Sequence, residues 1–234
     1  MNKKIFLSLS MFAFIIIVII SCEKDYNAGS TTNPPPPVVS KSFVEEFDTA
    51  TSLARKGWVI TNRSNPVGGS SWRQGKYELG GKYGNEIVGF PAYSATYSPT
   101  EFISADLGAS NNSGEISCWL ITPPIPARNG DQLSFYTRST GNFPERLQVR
   151  GNFTNQSAEV GPDVKSFGDF TQLLVDIDPN YQGIYPATWT KYNITFAGLP
   201  SSLTSVRIGF RYMVDNTAAN GEMIGIDKVE FISK

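Results

Sequence analysis

The 234-residue sequence contains no histidine. A Ser-His-Asp or Cys-His nucleophile system is therefore excluded, as is every metal site with an imidazole ligand. Net charge is also nearly absent: 20 basic and 21 acidic residues leave −1, so nothing favours nucleic acid as a partner. Any catalysis would have to use carboxylates, lysine or tyrosine.

Cysteine is scarce, because the sequence holds only Cys22 and Cys118. A lysine-containing start and an apolar run over residues 5–20 are typical of a secretory signal. The run ends Ile20-Ser21-Cys22, the aliphatic–small–cysteine order of a bacterial lipobox. We therefore predict a lipoprotein signal peptide over 1–21 and an acylated Cys22 that anchors the chain in the membrane.

A tether is predicted over residues 22–41. Its stretch 30–37 reads Ser-Thr-Thr-Asn-Pro-Pro-Pro-Pro, a composition that builds no core and favours an extended polyproline spacer. The charged residues Glu23, Lys24 and Asp25 resemble the export tract of surface lipoproteins. The expected location is the outer membrane, with a lipid-anchored domain exposed at the cell surface.

From Ser42 onward we find no helical window, and apolar residues alternate with a period of two. The alternation is clearest at Val206, Ile208, Phe210 and Tyr212, which predicts a central strand. Turn-forming residues separate about ten or eleven such segments. The sequence therefore predicts an all-β domain over 42–234, a two-sheet antiparallel β-sandwich of jelly-roll type.

Two carboxylates interrupt the apolar alternation near the ends of this domain. A regular first strand places Glu45 on the same side as Phe43 and Phe47. A regular last strand places Asp227 on the side of its apolar neighbours, which are Met223, Gly225, Val229 and Phe231. Burying a carboxylate is costly unless it is paired or coordinated, so the two acids call for one explanation.

A bound Ca²⁺ would satisfy both carboxylates, because calcium prefers hard oxygen ligands. Asp48 follows the first strand, and Asn85 lies in Gly84-Asn85-Glu86, so each is a candidate for a further ligand. Three alternatives stay open at this point. A bulge could turn one carboxylate outward, an arginine such as Arg207 or Arg211 could pair with it, or backbone N–H groups could bond to it.

The sequence resembles the choice-of-anchor J family, which is related to the cleaved-adhesin domains of gingipain-type haemagglutinins and to MAM-like jelly rolls. The resemblance covers almost everything after Ser42. The segments that carry it are Phe43–Asp48, Gly57-Trp58, Ser71-Trp72, Trp119–Ile125, Leu133–Tyr136, Pro144–Val149, Gly168–Thr171, Trp189–Tyr192, Ile208–Tyr212 and Ile224–Val229.

The resemblance implies a jelly-roll sandwich with structural calcium. The family's acidic and asparagine positions fall on Glu45, Asp48, Asn85 and Asp227. This chain departs from the family at Lys228, where a second aspartate is usual. The cleaved-adhesin relatives imply adhesion, which is an analogy of fold.

A tyrosine-rich stretch supplies candidate ligand contacts, because aromatic residues among glycine, serine and proline are typical of exposed binding loops. The candidates are Tyr77, Tyr83, Phe90, Tyr93 and Tyr97. The first hypothesis is a non-catalytic adhesion module for a host or bacterial surface protein. The alternative is a surface glycan-binding lipoprotein serving polysaccharide uptake. A third, a hydrolase, would use carboxylates between residues 159 and 178, although their spacing fixes no pair.

Overall fold

The structure is a computed structural model that describes residues 42–79, 87–201 and 205–234. The chain divides into two units, Met1–Pro37 and Val38–Lys234, and every described residue belongs to the second. The predicted signal peptide (1–21), the tether (22–41) with Cys22, and the candidates Tyr83 and Asn85 lie outside the described residues.

Strands dominate the described residues. In chain order they are β1 (Phe43–Glu45), β2 (Val59–Asn62), β3 (Asn65–Val67), β4 (Arg73–Gln74), β5 (Tyr77–Leu79), β6 (Ile87–Gly89), β7 (Ile103–Asp106), β8 (Ser110–Ile121), β9 (Gln132–Ser139), β10 (Leu147–Asn152), β11 (Gln172–Ile177), β12 (Thr190–Thr195), β13 (Arg207–Val214) and β14 (Met223–Ile232). Two 3₁₀ helices, Ala50–Lys56 and Leu107–Ala109, are helical segments that the period-two pattern does not predict.

The strands pair into two large antiparallel sheets. Sheet A has the order β12-β9-β14-β7-β4, and β1 pairs with β14. Sheet B has the order β11-β10-β13-β8-β2, and β3 pairs with β8. Strands β5 and β6 form a separate two-stranded sheet. The predicted all-β sandwich is confirmed. The number of described strands is higher than the predicted ten or eleven, because β3 to β7 are too short to show a clear period of two.

The core lies between the two large sheets. Strand β13 is central in sheet B, between β10 and β8, as its alternation predicts. Its inward side chains Ile208, Phe210 and Tyr212 are fully buried. Phe210 meets Phe135 of sheet A edge to face, with ring centroids 5.1 Å apart. Each such buried apolar side chain stabilises the fold by roughly 1.5–3 kcal/mol, so these contacts hold the two layers together.

The last strand corrects the predicted face of Asp227. Lys228 has a φ of 48°, and the pairing of β14 with β9 shifts register between Asp227 and Glu230. Such a bulge adds one residue and reverses the alternation beyond it. Val229 and Phe231 therefore point into the core, whereas Asp227 points to the outer face of sheet A. The prediction that the three share one face is wrong.

Cys118 is buried in β8. Its thiol sulfur lies 3.1 Å from the hydroxyl oxygen of Ser71. Burial disfavours the thiolate and raises the pKa of this thiol to about 11. Cys118 is therefore a small packing residue of the sandwich rather than a nucleophile.

Candidate binding surface on sheet A

One loop, residues 90–101, covers part of the outer face of sheet A, and we call it the covering loop. Its first residue, Phe90, stacks on Phe102 with ring centroids 5.1 Å apart. Trp189 meets the Phe90 ring edge to face at 5.5 Å, and the Arg138 guanidinium lies 4.4 Å from the centroid of that ring. Phe90 is therefore a buried anchor of the loop, which removes it from the candidate ligand contacts.

Asp227 of sheet A binds the backbone of the covering loop that lies over it. Its Oδ2 accepts hydrogen bonds from the backbone N–H groups of Tyr93 at 2.9 Å and Ser94 at 3.0 Å. Its Oδ1 accepts the N–H of Lys228 at 2.7 Å. The carboxylate is fully buried, and burial raises its pKa to about 7; the three hydrogen bonds oppose that rise and the nearby Glu46 adds to it.

Glu101 holds the other end of the loop in the same way. Its buried carboxylate accepts the N–H of Tyr97 at 3.0 Å, that of Ser98 at 3.1 Å, and that of Thr96. The sequence pattern did not predict a role for Glu101. The available signal was an acidic side chain three residues after a serine in Ser98-Pro99-Thr100-Glu101, a spacing that often marks local side-chain-to-backbone bonding.

The loop residues that Asp227 and Glu101 bind include two tyrosines that face the solvent. Tyr93 is 44% exposed, and its ring stacks on Tyr136 of β9 with centroids 3.6 Å apart and an interplanar angle of 16°. The Lys191 ammonium lies 5.8 Å from the centroid of the Tyr136 ring. Tyr97 is 92% exposed on the same loop, whereas Tyr77 lies on the separate strand β5.

Tyr136 and Lys191 were not among the predicted ligand contacts either, although the sequence contains a signal for Tyr136. Leu133 and Phe135 alternate inward on β9, so the period of two already points Tyr136 outward. Lys191 pairs directly with Tyr136 across β12 and β9. Cross-strand partners share a face, so the two side chains lie side by side on the outside of sheet A.

Glu45, the calcium ligand predicted on the first strand, does not lie beside Asp227. Glu45 pairs with Val229, which faces the core, so Glu45 and Asp227 are on opposite faces of sheet A. Its two carboxylate oxygens accept hydrogen bonds from the Lys56 ammonium at 2.9 and 3.0 Å. One ion shared by Glu45 and Asp227 does not fit this geometry, because a lysine already neutralises Glu45.

Glu46, one residue later, is the acid that faces the same way as Asp227. Its Oε1 lies 3.5 Å from the Lys228 ammonium. Its Oε2 is buried and has no hydrogen-bond partner within the described residues.

Asp48, another predicted calcium ligand, is exposed. In the described ranges, no three or more acidic, histidine or cysteine side chains come together in a group that could hold a metal ion.

We predict that Asp227→Ala loosens the covering loop while the domain stays folded. Three backbone N–H groups lose their acceptor, so the free energy of unfolding should fall by about 2–4 kcal/mol. Hydrogen exchange at the Tyr93 and Ser94 amides should accelerate more than exchange in β13. The matched control is Asp48→Ala, for which the change should stay within about 0.5 kcal/mol. Equal effects of the two substitutions would contradict the assigned role of Asp227.

No protein-family profile matches the sequence, and a search of curated proteins finds no relative. Solved structures do resemble it. The K1 cleaved adhesin domain of Lys-gingipain from Porphyromonas gingivalis superposes with a TM-score of 0.51 and 18% identity, over 83% of this chain and 99% of that domain. The K3 domain of the same protein gives 0.49 and 17%, over 82% and 98%. A carbohydrate-binding module of the β-sandwich superfamily gives 0.41 and 10%, over 81% and 62%. The similarity to the K1 domain shows that this chain has a cleaved-adhesin type of fold.

Proposed function

We propose that this chain is a non-catalytic binding module that presents the outer face of sheet A to a ligand at the cell surface. The observation that carries the proposal is the fixed covering loop. Two buried carboxylates, Asp227 and Glu101, bond to its backbone and thereby position Tyr93 and Tyr97 toward solvent. Aromatic side chains held on a rigid scaffold supply contact area at a low entropic cost.

Carboxylates outside this surface support a non-catalytic role. Among the acids considered for hydrolysis, Asp176 accepts two hydrogen bonds from Arg146 at 2.9 and 2.8 Å. Asp178 accepts the backbone N–H groups of Gly183 and Ile184 at 2.9 and 3.1 Å. Carboxylates bonded in this way stabilise turns and strands. A glycosidase instead needs two carboxylates that face a cleft.

Two ligand classes follow from the sequence, a surface protein and a glycan. The stacked Tyr93–Tyr136 pair beside Lys191 favours the glycan. Aromatic rings present an apolar face with a polar edge, which suits a sugar that is apolar on one side and hydroxylated at its rim. The solved cleaved adhesin domains keep the protein partner as the other candidate.

We predict that a glycan array probed with the mature protein gives signals that depend on Tyr93. Tyr93→Ala should weaken binding about tenfold or more, because it removes a central aromatic contact. Tyr77→Ala is the matched control, since it removes a tyrosine on the separate β5–β6 sheet and should bind like the unchanged protein. Glycan signals that ignore Tyr93, or signals confined to protein partners, would reject the glycan assignment.

The lipid anchor on Cys22 remains part of the proposal. The supporting observation is the lipobox order at the end of the apolar run. In the described part of the chain, no helix is both long and apolar enough to cross a membrane. An acylated cysteine followed by a proline-rich tether would hold the domain at the outer membrane and outside the cell.

We predict that Cys22→Ala abolishes incorporation of labelled fatty acid and moves the protein from the membrane fraction to the soluble fraction. Cys118→Ala removes the only other cysteine and should keep both the label and the membrane location. Label retained after Cys22→Ala would show that the membrane attachment has another origin.

Structural calcium is also proposed, with a corrected ligand pair. Glu46 and Asp227 both face outward on sheet A, and the buried Glu46 Oε2 has no partner in the described residues. An orphaned carboxylate oxygen beside a second buried carboxylate fits a hard divalent cation. Bound calcium would supply positive charge that offsets the repulsion between the two acids.

We predict that excess Ca²⁺, compared with EDTA, raises the melting temperature. A hundredfold excess over Kd stabilises the folded state by about 2.7 kcal/mol. For a domain of this size that corresponds to roughly 5–10 °C. Glu46→Gln should remove most of the shift.

Glu45→Gln is the matched control for this measurement. It breaks the Lys56 ion pair and lowers the melting temperature in EDTA, yet the increase caused by calcium should remain. A shift that depends on Glu45 rather than Glu46, or identical curves with Ca²⁺ and EDTA, would overturn the metal proposal without touching the glycan-binding test.

A further inference from the structure

Beside the covering loop, part of the outer face of sheet A remains open to solvent. Strand β12 contributes Lys191 and Asn193, both exposed, and their partners on β9 are Tyr136 and Ser134. On the other side of β9, Glu230 of β14 also pairs with Ser134. We call this surface, formed by Tyr93, Tyr136, Lys191, Asn193, Ser134 and Glu230, the open face.

The two tyrosines of the open face present a fixed hydrogen-bond donor. Tyr93 stacks on Tyr136 with ring centroids 3.6 Å apart, so the two phenol groups are held together on the outer face of sheet A. Each phenol hydroxyl group can donate one hydrogen bond to a ligand.

Lys191 supplies a cation next to that donor. It forms no ion pair with the described carboxylates, and its ammonium is held near the Tyr136 ring, 5.8 Å from the centroid. An unpaired ammonium beside a phenol O–H is complementary to an oxyanion, because charge-assisted hydrogen bonds are the strongest available to a carboxylate.

The surrounding charges indicate how densely charged the ligand should be. Lys228 lies 3.5 Å from Glu46, Asp227 is buried with both oxygens bonded to the backbone, and Glu230 adds a negative charge to the open face. Of Lys191 and Lys228, only Lys191 lacks an acidic partner among the described residues, an arrangement that does not suit a densely sulfated polymer. The surface offers instead one local contact for a single carboxylate.

We propose that Tyr93, Tyr136 and Lys191 form a subsite for one uronic acid residue of an acidic polysaccharide. The tyrosine pair contacts the sugar ring, and Lys191 with a phenol O–H binds its carboxylate. This inference rests on the proposed glycan-binding function and names its ligand class.

The test is calorimetric titration of the mature protein, at one fixed calcium concentration, with tetragalacturonate and with the same tetrasaccharide after reduction of its carboxyl groups. We expect the carboxyl-reduced sugar to bind at least tenfold more weakly. Lys191→Gln should weaken tetragalacturonate binding about tenfold and leave the reduced sugar unchanged. Tyr136→Phe, which keeps the ring and removes one hydroxyl, should weaken tetragalacturonate binding by a smaller factor.

Lys76→Gln is the matched charge control, because the Lys76 ammonium is paired with Glu78 and is not part of the open face, and it should leave binding unchanged. Equal affinity for the two tetrasaccharides, equal effects of the two lysine substitutions, or tighter binding of heparin than of tetragalacturonate would overturn the uronate subsite. In those cases the glycan-binding function would still stand on the Tyr93-dependent array signals. If the folded protein bound no saccharide, both the uronate subsite and the glycan-binding function would be rejected.

Discussion

The outer surface of this domain depends on one buried carboxylate, that of Asp227. It lies on the outside of sheet A because it alternates with the inward-pointing Ile226, and the left-handed residue Lys228 then lets the apolar residues beyond it return to the core. There it accepts the backbone N–H groups of Tyr93 and Ser94. Without the bulge, β14 could not keep Asp227 outside, beneath the covering loop, and also bury the apolar residues on both sides of it.

Neighbouring acids on the first strand show how strongly a single step along a strand changes chemistry. Glu45 faces inward and is neutralised by Lys56, so its burial is offset by an ion pair. Glu46 faces outward toward Asp227, is only loosely paired with Lys228, and has one unsatisfied oxygen among the described residues. The same period of two that separates core from solvent thus separates a structural acid from a candidate metal ligand.

Regular alternation made the sandwich predictable, and irregular backbone limited the prediction of the site. Ile208, Phe210 and Tyr212 follow the period of two without interruption, and their burial follows from it. The bulge at Lys228 has no such signal, because lysine carries no preference for a positive φ. Glu101 was missed for a related reason, since its partners are backbone N–H groups of a loop, and a sequence pattern does not specify where those point.

A raised pKa often marks a catalytic acid, and at Asp227 it has a different meaning. Burial is its largest cause, and both oxygens of Asp227 are already bonded to backbone N–H groups and covered from solvent. A general acid must reach its substrate within hydrogen-bond distance, which this carboxylate cannot do without releasing the loop. The hydrogen bonds that buried Asp227 accepts instead hold Tyr93 against Tyr136 before any ligand binds. Preorganisation of this kind lowers the entropic cost of binding, so the same feature that disfavours catalysis favours recognition.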